Sequence, residues 1–410
     1  MSKKIDKNLI VALDIGTNKI AALVGEVTPD NQINVVGFGV HPSRGLKRGV
    51  VVNIEATVQS IQRAIEEAEL MAGCEIHDAY TGIAGSHISS LNSHGIVAIR
   101  NQEVNQTDVD RVIDAAKAVA IPADQKILHI LPQEFIVDMQ QGVREPVGMS
   151  GVRLEAKVHI VAGAVSAAQN ITKCVRRCGL QVNDIILEPL ASSYAVLTDD
   201  EKELGVCMID IGGGTTDIAI FIDGAIRHTT VIPIAGDHVT NDIAVALRIP
   251  MQQAEKMKRT YASVLPETVD ENEMIQMQSV AQRPAQQIQR RILANVVHAR
   301  YEELFSLVAA ELRRGGYEDL LSAGIVLTGG ASKVAGCLQL AESVFQMPVR
   351  QGLPQNITGL VDVREDPTYS TGVGLLLYGL RQQDNPQPFT LNRGMPSLWS
   401  RMRSWFQGSF

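Results

Sequence analysis

The run Val206-Cys207-Met208-Ile209-Asp210-Ile211-Gly212-Gly213-Gly214-Thr215-Thr216-Asp217-Ile218-Ala219-Ile220-Phe221 reads as strand, glycine turn, strand. Apolar residues fill Val206 to Ile209 and return from Ile218 to Phe221, and Asp210 stands where the first strand ends. Glycines lack Cβ, so the N–H groups of such a turn are free to converge on an anion, and the two threonines add hydroxyls. Alone, a glycine hairpin is more often a tight turn than a phosphate site.

This one has a counterpart near the N-terminus, Leu9-Ile10-Val11-Ala12-Leu13-Asp14-Ile15-Gly16-Thr17-Asn18-Lys19-Ile20-Ala21-Ala22-Leu23-Val24. Aligned on the aspartates, Asp14-Ile15-Gly16 repeats as Asp210-Ile211-Gly212, each between two apolar strands. A repeat at so long a period is no solenoid unit. It predicts two related domains, each presenting one hairpin to a shared cleft. A third element, Gly324-Ile325-Val326-Leu327-Thr328-Gly329-Gly330-Ala331-Ser332, reads as a buried strand entering Gly-Gly, with a helix from 332 to 345. Such a turn lets a flat ring approach the backbone. The three motifs together resemble the pattern of the actin, Hsp70 and sugar-kinase ATPases.

Composition sets the outer bounds. A chain of 410 residues is too long for one compact core. With 45% hydrophobic and 20% charged residues it has the make-up of a soluble globular protein. The net charge of −8 argues against general nucleic-acid binding. Five cysteines without a CxxC predict reduced thiols and a cytosolic chain. Cys174 and Cys178 lie on one predicted helix, where packing is a better account than a metal site. No apolar run reaches the ~18 residues of a transmembrane helix.

Taken in order, the chain predicts strands at 9–15, 19–27 and 33–38, then a helix capped by Asn53 and closed by Gly73, with Ile54, Val58, Ile61, Ile65 and Ala68 inward. Residues 84–162 read as a small inserted α+β domain with a helix from Thr107 and a loop from Gln140 to Val152. They carry no catalytic motif, which suits protein contacts. Glu188 opens a helix rich in small residues. There it either orients an attacking water or merely favours the helix dipole. Past Gly236, Glu255 and Lys258 share a helical face, as a nucleotide-bracketing pair or an ordinary surface ion pair. From Ala285 a long helix runs towards Arg313, with Ile288, Ile292, Val296, Tyr301, Leu304 and Leu307 as its apolar residues. Arg290, Arg291, Arg300, Glu302 and Glu303 lie outside, a solvated face or a patch for an acidic partner segment. A last helix, small on one side, closes the folded body near Leu380.

Residues 381–396 have linker composition. Beyond them, at ~100° per residue, Leu398, Trp399, Met402, Trp405 and Phe406 gather on one side of a helix, flanked by Arg401 and Arg403. A short, basic, tryptophan-bearing amphipathic helix on a tether suits the interface of an anionic bilayer better than the alternative, docking back onto the body or onto a partner. One copy binds weakly, so stable attachment calls for many copies and hence polymerisation.

Leu13-Asp14-Ile15-Gly16-Thr17, Pro42-Ser43-Arg44-Gly45, Ala84-Gly85-Ser86-His87-Ile88, the 210–217 hairpin, Leu327-Thr328-Gly329-Gly330, Asn356-Ile357-Thr358-Gly359-Leu360 and the tail resemble the FtsA family, the bacterial cell-division actin homologues, of proteobacterial type. The resemblance spans essentially the whole chain. It implies an α/β, actin-like (ribonuclease H-like, duplicated) ATPase fold with two lobes around a nucleotide cleft. Subdomain 1A would comprise 1–83 and 163–204, 1C the insertion 84–162, 2A 205–232 and 304–380, and 2B 233–303. A linker (381–396) and a membrane-targeting helix (397–410) would follow. It implies ATP and Mg²⁺ as cofactors, with Asp14 and Asp210 holding the metal through waters. Gly16, Thr17, Asn18, Lys19, Gly212, Gly213, Gly214, Thr215 and Thr216 would cradle phosphates. Gly236, Glu255, Lys258, Gly329, Gly330 and Ala331 would meet the nucleoside. Glu188 and Asp210 would be the catalytic acids of at most a weak ATPase. The partners implied are the C-terminal peptide of FtsZ on 233–303, further copies in protofilaments, FtsN and other late division proteins, and the cytoplasmic face of the inner membrane at the division site. A pilus-assembly actin homologue and a sugar kinase are the alternatives within the superfold.

Overall fold

The computed structural model describes residues 8–277 and 286–384. Its main body holds two sheets of one design. In the first, the strands Ile33–Pro42, Lys19–Val27 and Leu9–Ile15 form an antiparallel meander, and Asp78–Ile83 and then Gln181–Leu187 add in parallel. In the second, Ala225–Ile232, Thr216–Ile222 and Val206–Ile211 form the meander, and Ile325–Thr328 and Val349–Gln351 add in parallel. The repeat seen around the two aspartates is thus a repeat of whole sheets; the first gains Ile357–Gly359 at its edge. The central strands are buried on both faces, which is why they read as unbroken apolar runs.

Helices cover these faces. Ile54–Ala72 is capped by Asn53, whose side chain accepts from Ala56 N, and is stopped by Gly73 in the left-handed region. Glu188–Val196 and Ser370–Asp384 pack against each other, with Gly374 meeting the Ala191 carbonyl so closely that an added Cβ would lie 1.8 Å from its oxygen. Residues Ser90–Gly163 form a compact unit of their own. There a four-stranded sheet, ordered Ser89–Ala98, Arg153–Ala164, Gln125–Val137 and Gln140–Val143, packs on the helix Gln106–Lys117 through Val109, Val112, Ile113 and Ala116.

Several expectations are corrected. Gln140–Val143, read as loop, is a strand paired with Gln125–Val137, and its buried Val143 opposite Phe135 supplies the pairing that the glycine and proline signals obscured. The long helix starts at Arg290, not Ala285, because Gln286–Gln289 is captured as a strand by Met274–Met277. Its core stripe is Leu293, Val297, Tyr301, Leu304, Phe305 and Val308, leaving Ile292 and Leu307 exposed. The helix has apolar residues on more than one side, so periodicity did not single out the right face. After Gly329-Gly330 comes a 3₁₀ turn, Gly330–Lys333, and the α-helix waits until Cys337–Phe345, because Gly336 breaks the path at φ +83°. Residues 381–384, assigned to the linker, continue the last helix. The tail helix with Leu398, Trp399, Arg401, Met402, Arg403, Trp405 and Phe406 lies outside the described residues. Among those described, no helix is long and apolar enough to cross a membrane.

Gly374→Ala is expected to lower unfolding free energy by about 3 kcal/mol, the upper end of the overpacking range, because the new Cβ meets backbone. In contrast, Gly73→Ala, with nothing within 4 Å of a new Cβ, should cost only the left-handed strain of about 1–2 kcal/mol. Urea titration of both variants decides; equal losses would contradict the helix contact.

Candidate functional site

Each hairpin delivers an aspartate to the same place. Asp14 pairs in register with Ala21, and its Oδ2 accepts from Lys19 Nζ at 2.6 Å. Asp210 pairs with Asp217. In the alignment, then, Thr215 stands where the first hairpin has Lys19, and Asp217 where it has Ala21. Asp210 Oδ2 accepts from Ser192 Oγ at 2.7 Å and Thr371 Oγ1 at 3.3 Å. Asp217 Oδ2 accepts from Thr215 Oγ1 at 3.1 Å, and its Oδ1 is buried without a hydrogen-bond partner.

Glu188, first residue of its helix, joins this group. Burial, then the charges of Asp14, Asp217 and Asp210, push its carboxyl well above the usual range, against Lys19. Burial raises Asp210, with Asp14 adding to it and the Ser192 hydrogen bond opposing. Burial and the charge of Asp210 carry Asp217 to about 8. For Lys19 burial acts downward, but the charge and hydrogen bond of Asp14, with Tyr369 and Asp210, outweigh it and hold the ammonium above its ordinary value.

The two turns touch. A Cβ on Gly213 would lie 2.6 Å from Asn18 Cγ, and one on Gly214 2.5 Å from Thr17 Oγ1. Asn18 Nδ2 donates to Asp237 Oδ1 at 2.6 Å, while Gly236 N and Asp237 N donate to the carbonyls of Gly212 and Gly213. Lys258 Nζ reaches Glu255 at 2.7 Å, Gly236 O at 2.9 Å and Thr240 Oγ1 at 2.8 Å. Burial would raise Glu255, but Lys258, Thr240 and Arg259 bring it down to about 2. Ala331 stands beside Gly236, and its carbonyl accepts from Tyr301 OH at 2.6 Å. Gly329, at φ +85°, lies against Asp210 Oδ1, where any Cβ would clash at 2.3 Å, and Gly330 faces Thr368. The residues proposed for phosphate, metal and nucleoside are therefore neighbours, joined around Gly212–Gly236.

The residues proposed for a protein partner lie elsewhere. Arg290 is tied to Glu273 and Tyr261 O, Arg291 to Glu271, and Arg300 to both oxygens of Asp242 and to Glu303. The expected basic patch is thus a lattice of ion pairs. Arg300, Glu303, Asp242, Val245 and Val296 line a groove of about 430 Å³.

A family model described as the cell division protein FtsA matches residues 207–374, and one described as the SHS2 domain inserted in FtsA matches 85–162. The cell division protein FtsA of Pseudomonas aeruginosa is 64% identical over 409 residues, covering 98% of each chain. This chain belongs to the FtsA family. The FtsA of Escherichia coli K12 is 47% identical over 420 residues, 100% of each chain. Among solved structures, the PilM-PilN type IV pilus biogenesis complex superposes with a TM-score of 0.68 at 16% identity, over 90% of this chain and 98% of that one. MreB5 of Spiroplasma citri, bound to ADP, superposes at 0.56 with 17% identity, over 92% and 98%. At those identities the likeness is one of fold, and the fold of this chain is actin-like. It is a cell division protein, which sets aside the sugar-kinase and pilus alternatives.

Sequence reasoning passed over Asp217, Ser192 and Thr371. Asp217 was visible as the residue facing Asp210 once the hairpin register is drawn; the two hydroxyls come from distant helices and left no local signal. An unfolded aspartate titrates near 4, and folded Asp217 keeps its proton to about 8. Between those values the folded state holds the extra proton, so stability falls as pH rises, by at most about 1.4 kcal/mol per pH unit for one group. Asp217→Asn is expected to flatten the fall between about pH 5 and pH 8, read from urea-unfolding free energies. An unaltered slope would contradict the buried, unpartnered carboxyl.

Proposed function

We propose that this chain is a nucleotide-switched scaffold. It polymerises on the cytoplasmic face of the inner membrane at the division site, anchors the FtsZ ring and helps to recruit later division proteins such as FtsN. The observation that carries the reading is the meeting of two acid-ended glycine turns, Asp14 to Lys19 and Asp210 to Thr216, at one point. Solved neighbours of the same fold are described with ADP, with AMPPNP and as a double helical filament, which supports a nucleotide and self-association.

The residues present fit ATP with Mg²⁺. The local excess of acid over Lys19 suits a cation, and Asp217 Oδ1 is a buried carboxyl oxygen without a hydrogen-bond partner. Magnesium is ordinarily held by one or two carboxylates and substrate phosphates, with waters completing its shell. Asp14 and Asp210 would hold it, and it would supply neutralisation of phosphate charge. The turn N–H groups and Lys19 bind phosphate oxygens. Gly329 to Ala331 leave room for the nucleoside beside Lys258 and Glu255. Glu188, its pKa raised by burial and its acidic neighbours, is favoured in its protonated form in the free chain, where it cannot accept a proton from an attacking water. That supports slow hydrolysis at most and a role as a binding switch.

The groove at Arg300 and Glu303 would take the FtsZ C-terminal peptide, exchanging internal ion pairs for ones with acidic peptide residues. The inserted unit would meet FtsN and neighbouring subunits. Leu398, Trp399, Met402, Trp405 and Phe406 would enter anionic lipid, with Arg401 and Arg403 at the headgroups.

With ATP, Mg²⁺ and anionic vesicles, the full chain is expected to sediment with lipid, and a chain ending at residue 396 to stay in solution. Asp210→Ala should lose nucleotide affinity by about tenfold or more and sediment poorly. Undiminished pelleting of the truncated chain would remove the anchor, and undiminished affinity of Asp210→Ala would remove the nucleotide site.

A further inference from the structure

Arg48 and His238 face each other beside the turns, and the functions assigned so far use neither. Arg48 takes a left-handed backbone at φ +50°, a conformation that costs a side-chain-bearing residue and persists only where the surroundings impose it. The surroundings do so here. Gly49 N donates to Thr17 Oγ1 at 2.9 Å, and Arg48 Cα lies 3.0 Å from where a Cβ on Gly214 would stand. From this fixed base, Arg48 Nη2 ends 3.5 Å from Nε2 of His238, the third residue of the helix Gly236–Leu247.

The chemistry of that pair turns on the other ring nitrogen. His238 Nδ1 accepts the backbone N–H of Ala235 at 3.3 Å, and Ala235 is buried, with 2% of its surface exposed. Burial, then the charges of Arg48 and Arg300, hold the imidazole below its ordinary pKa against Asp237 and Asp242, so it is neutral near pH 7. A neutral imidazole that accepts at Nδ1 carries its proton on Nε2. Nε2–H and the Arg48 guanidinium are then both donors, 3.5 Å apart, brought together from the two halves of the duplicated fold. The opposite tautomer would let Nε2 accept from Arg48, but it would leave the buried Ala235 N–H unmatched, a worse loss than one hydrogen bond of an exposed arginine. Two converging donors suit an anionic oxygen.

Their place along the turns indicates which anion. Following the second turn from Gly212 to Gly214 leads from Gly236, with Ala331 and Lys258 beside it, to Asn18, Thr17 and Arg48. The pair stands at the end of the phosphate turns away from Lys258 and Glu255. We propose that Arg48 and His238 clasp the outermost phosphate of a nucleoside triphosphate and so let the cleft tell triphosphate from diphosphate. The inference rests on the nucleotide reading above. A diphosphate, one group shorter, leaves the two donors unbridged, whereas a triphosphate ties one half of the fold to the other.

Calorimetric titration of the full chain with Mg-ATP and with Mg-ADP tests it. In Arg48→Asn, asparagine tolerates the left-handed backbone but has no guanidinium. In His238→Glu, glutamate at this helix position still accepts the backbone N–H preceding the helix, yet sets a negative charge against the ligand. Both variants are expected to lose ATP affinity about tenfold or more while ADP affinity stays within about twofold, and ADP binding in the same samples shows that the fold is intact. An ATP-to-ADP affinity ratio within about twofold of the wild type in either variant overturns the clasp. A wild-type chain that binds neither nucleotide overturns the nucleotide reading beneath it.

Discussion

Four carboxyl groups, Asp14, Asp210, Asp217 and Glu188, lie close enough to act on one another's charge, with the Lys19 ammonium among them. Like charges so placed cannot all ionise cheaply. The chain meets the difficulty in two ways. Ser192, Thr371 and Thr215 give hydroxyl protons to Asp210 and Asp217. Glu188 and Asp217 also keep their own protons far above the ordinary carboxylate range. Buried, mutually repelling carboxyls of this kind cost stability that apolar residues of the same size would not.

The duplicated fold explains how the acids come together, and the differences between its halves explain what they can do. Both sheets follow one strand order, so both first strands end their aspartates at the same level. The first half then offers a cation at Lys19, and the second a further acid at Asp217 and hydroxyls at Thr215 and Thr216. Crossing helices bind the halves from behind. One begins at Glu188. The other, Ser370–Asp384, sets its second residue, Thr371, on Asp210.

Much of this was legible because it is local. The aspartate–glycine turns, the Asn53 and Gly73 caps and the strand entering Gly329 are fixed by residues within a few positions of one another, and their buried runs are long enough to be read directly. The choice between a surface ion pair and an inward role for Glu255 and Lys258 could not be made from spacing. Burial decides its geometry, since Lys258 has only 9% of its surface exposed and holds the Gly236 carbonyl. What escaped was set by distant pairing. Gln286–Gln289 is a strand because Met274–Met277 lies beside it, and Gly336 interrupts a helix that composition alone would start earlier. Ser192 and Thr371 look like ordinary small helix residues until the fold brings them to Asp210.

The central claim is that the two turns act as one site. Hydrogen–deuterium exchange of the full chain, with and without Mg-ATP, measures this most directly. The account predicts that amides of Gly16 to Lys19 and of Gly212 to Thr216 gain protection together, at the same nucleotide concentration. Protection of one turn while the other exchanges as in the free chain would contradict it.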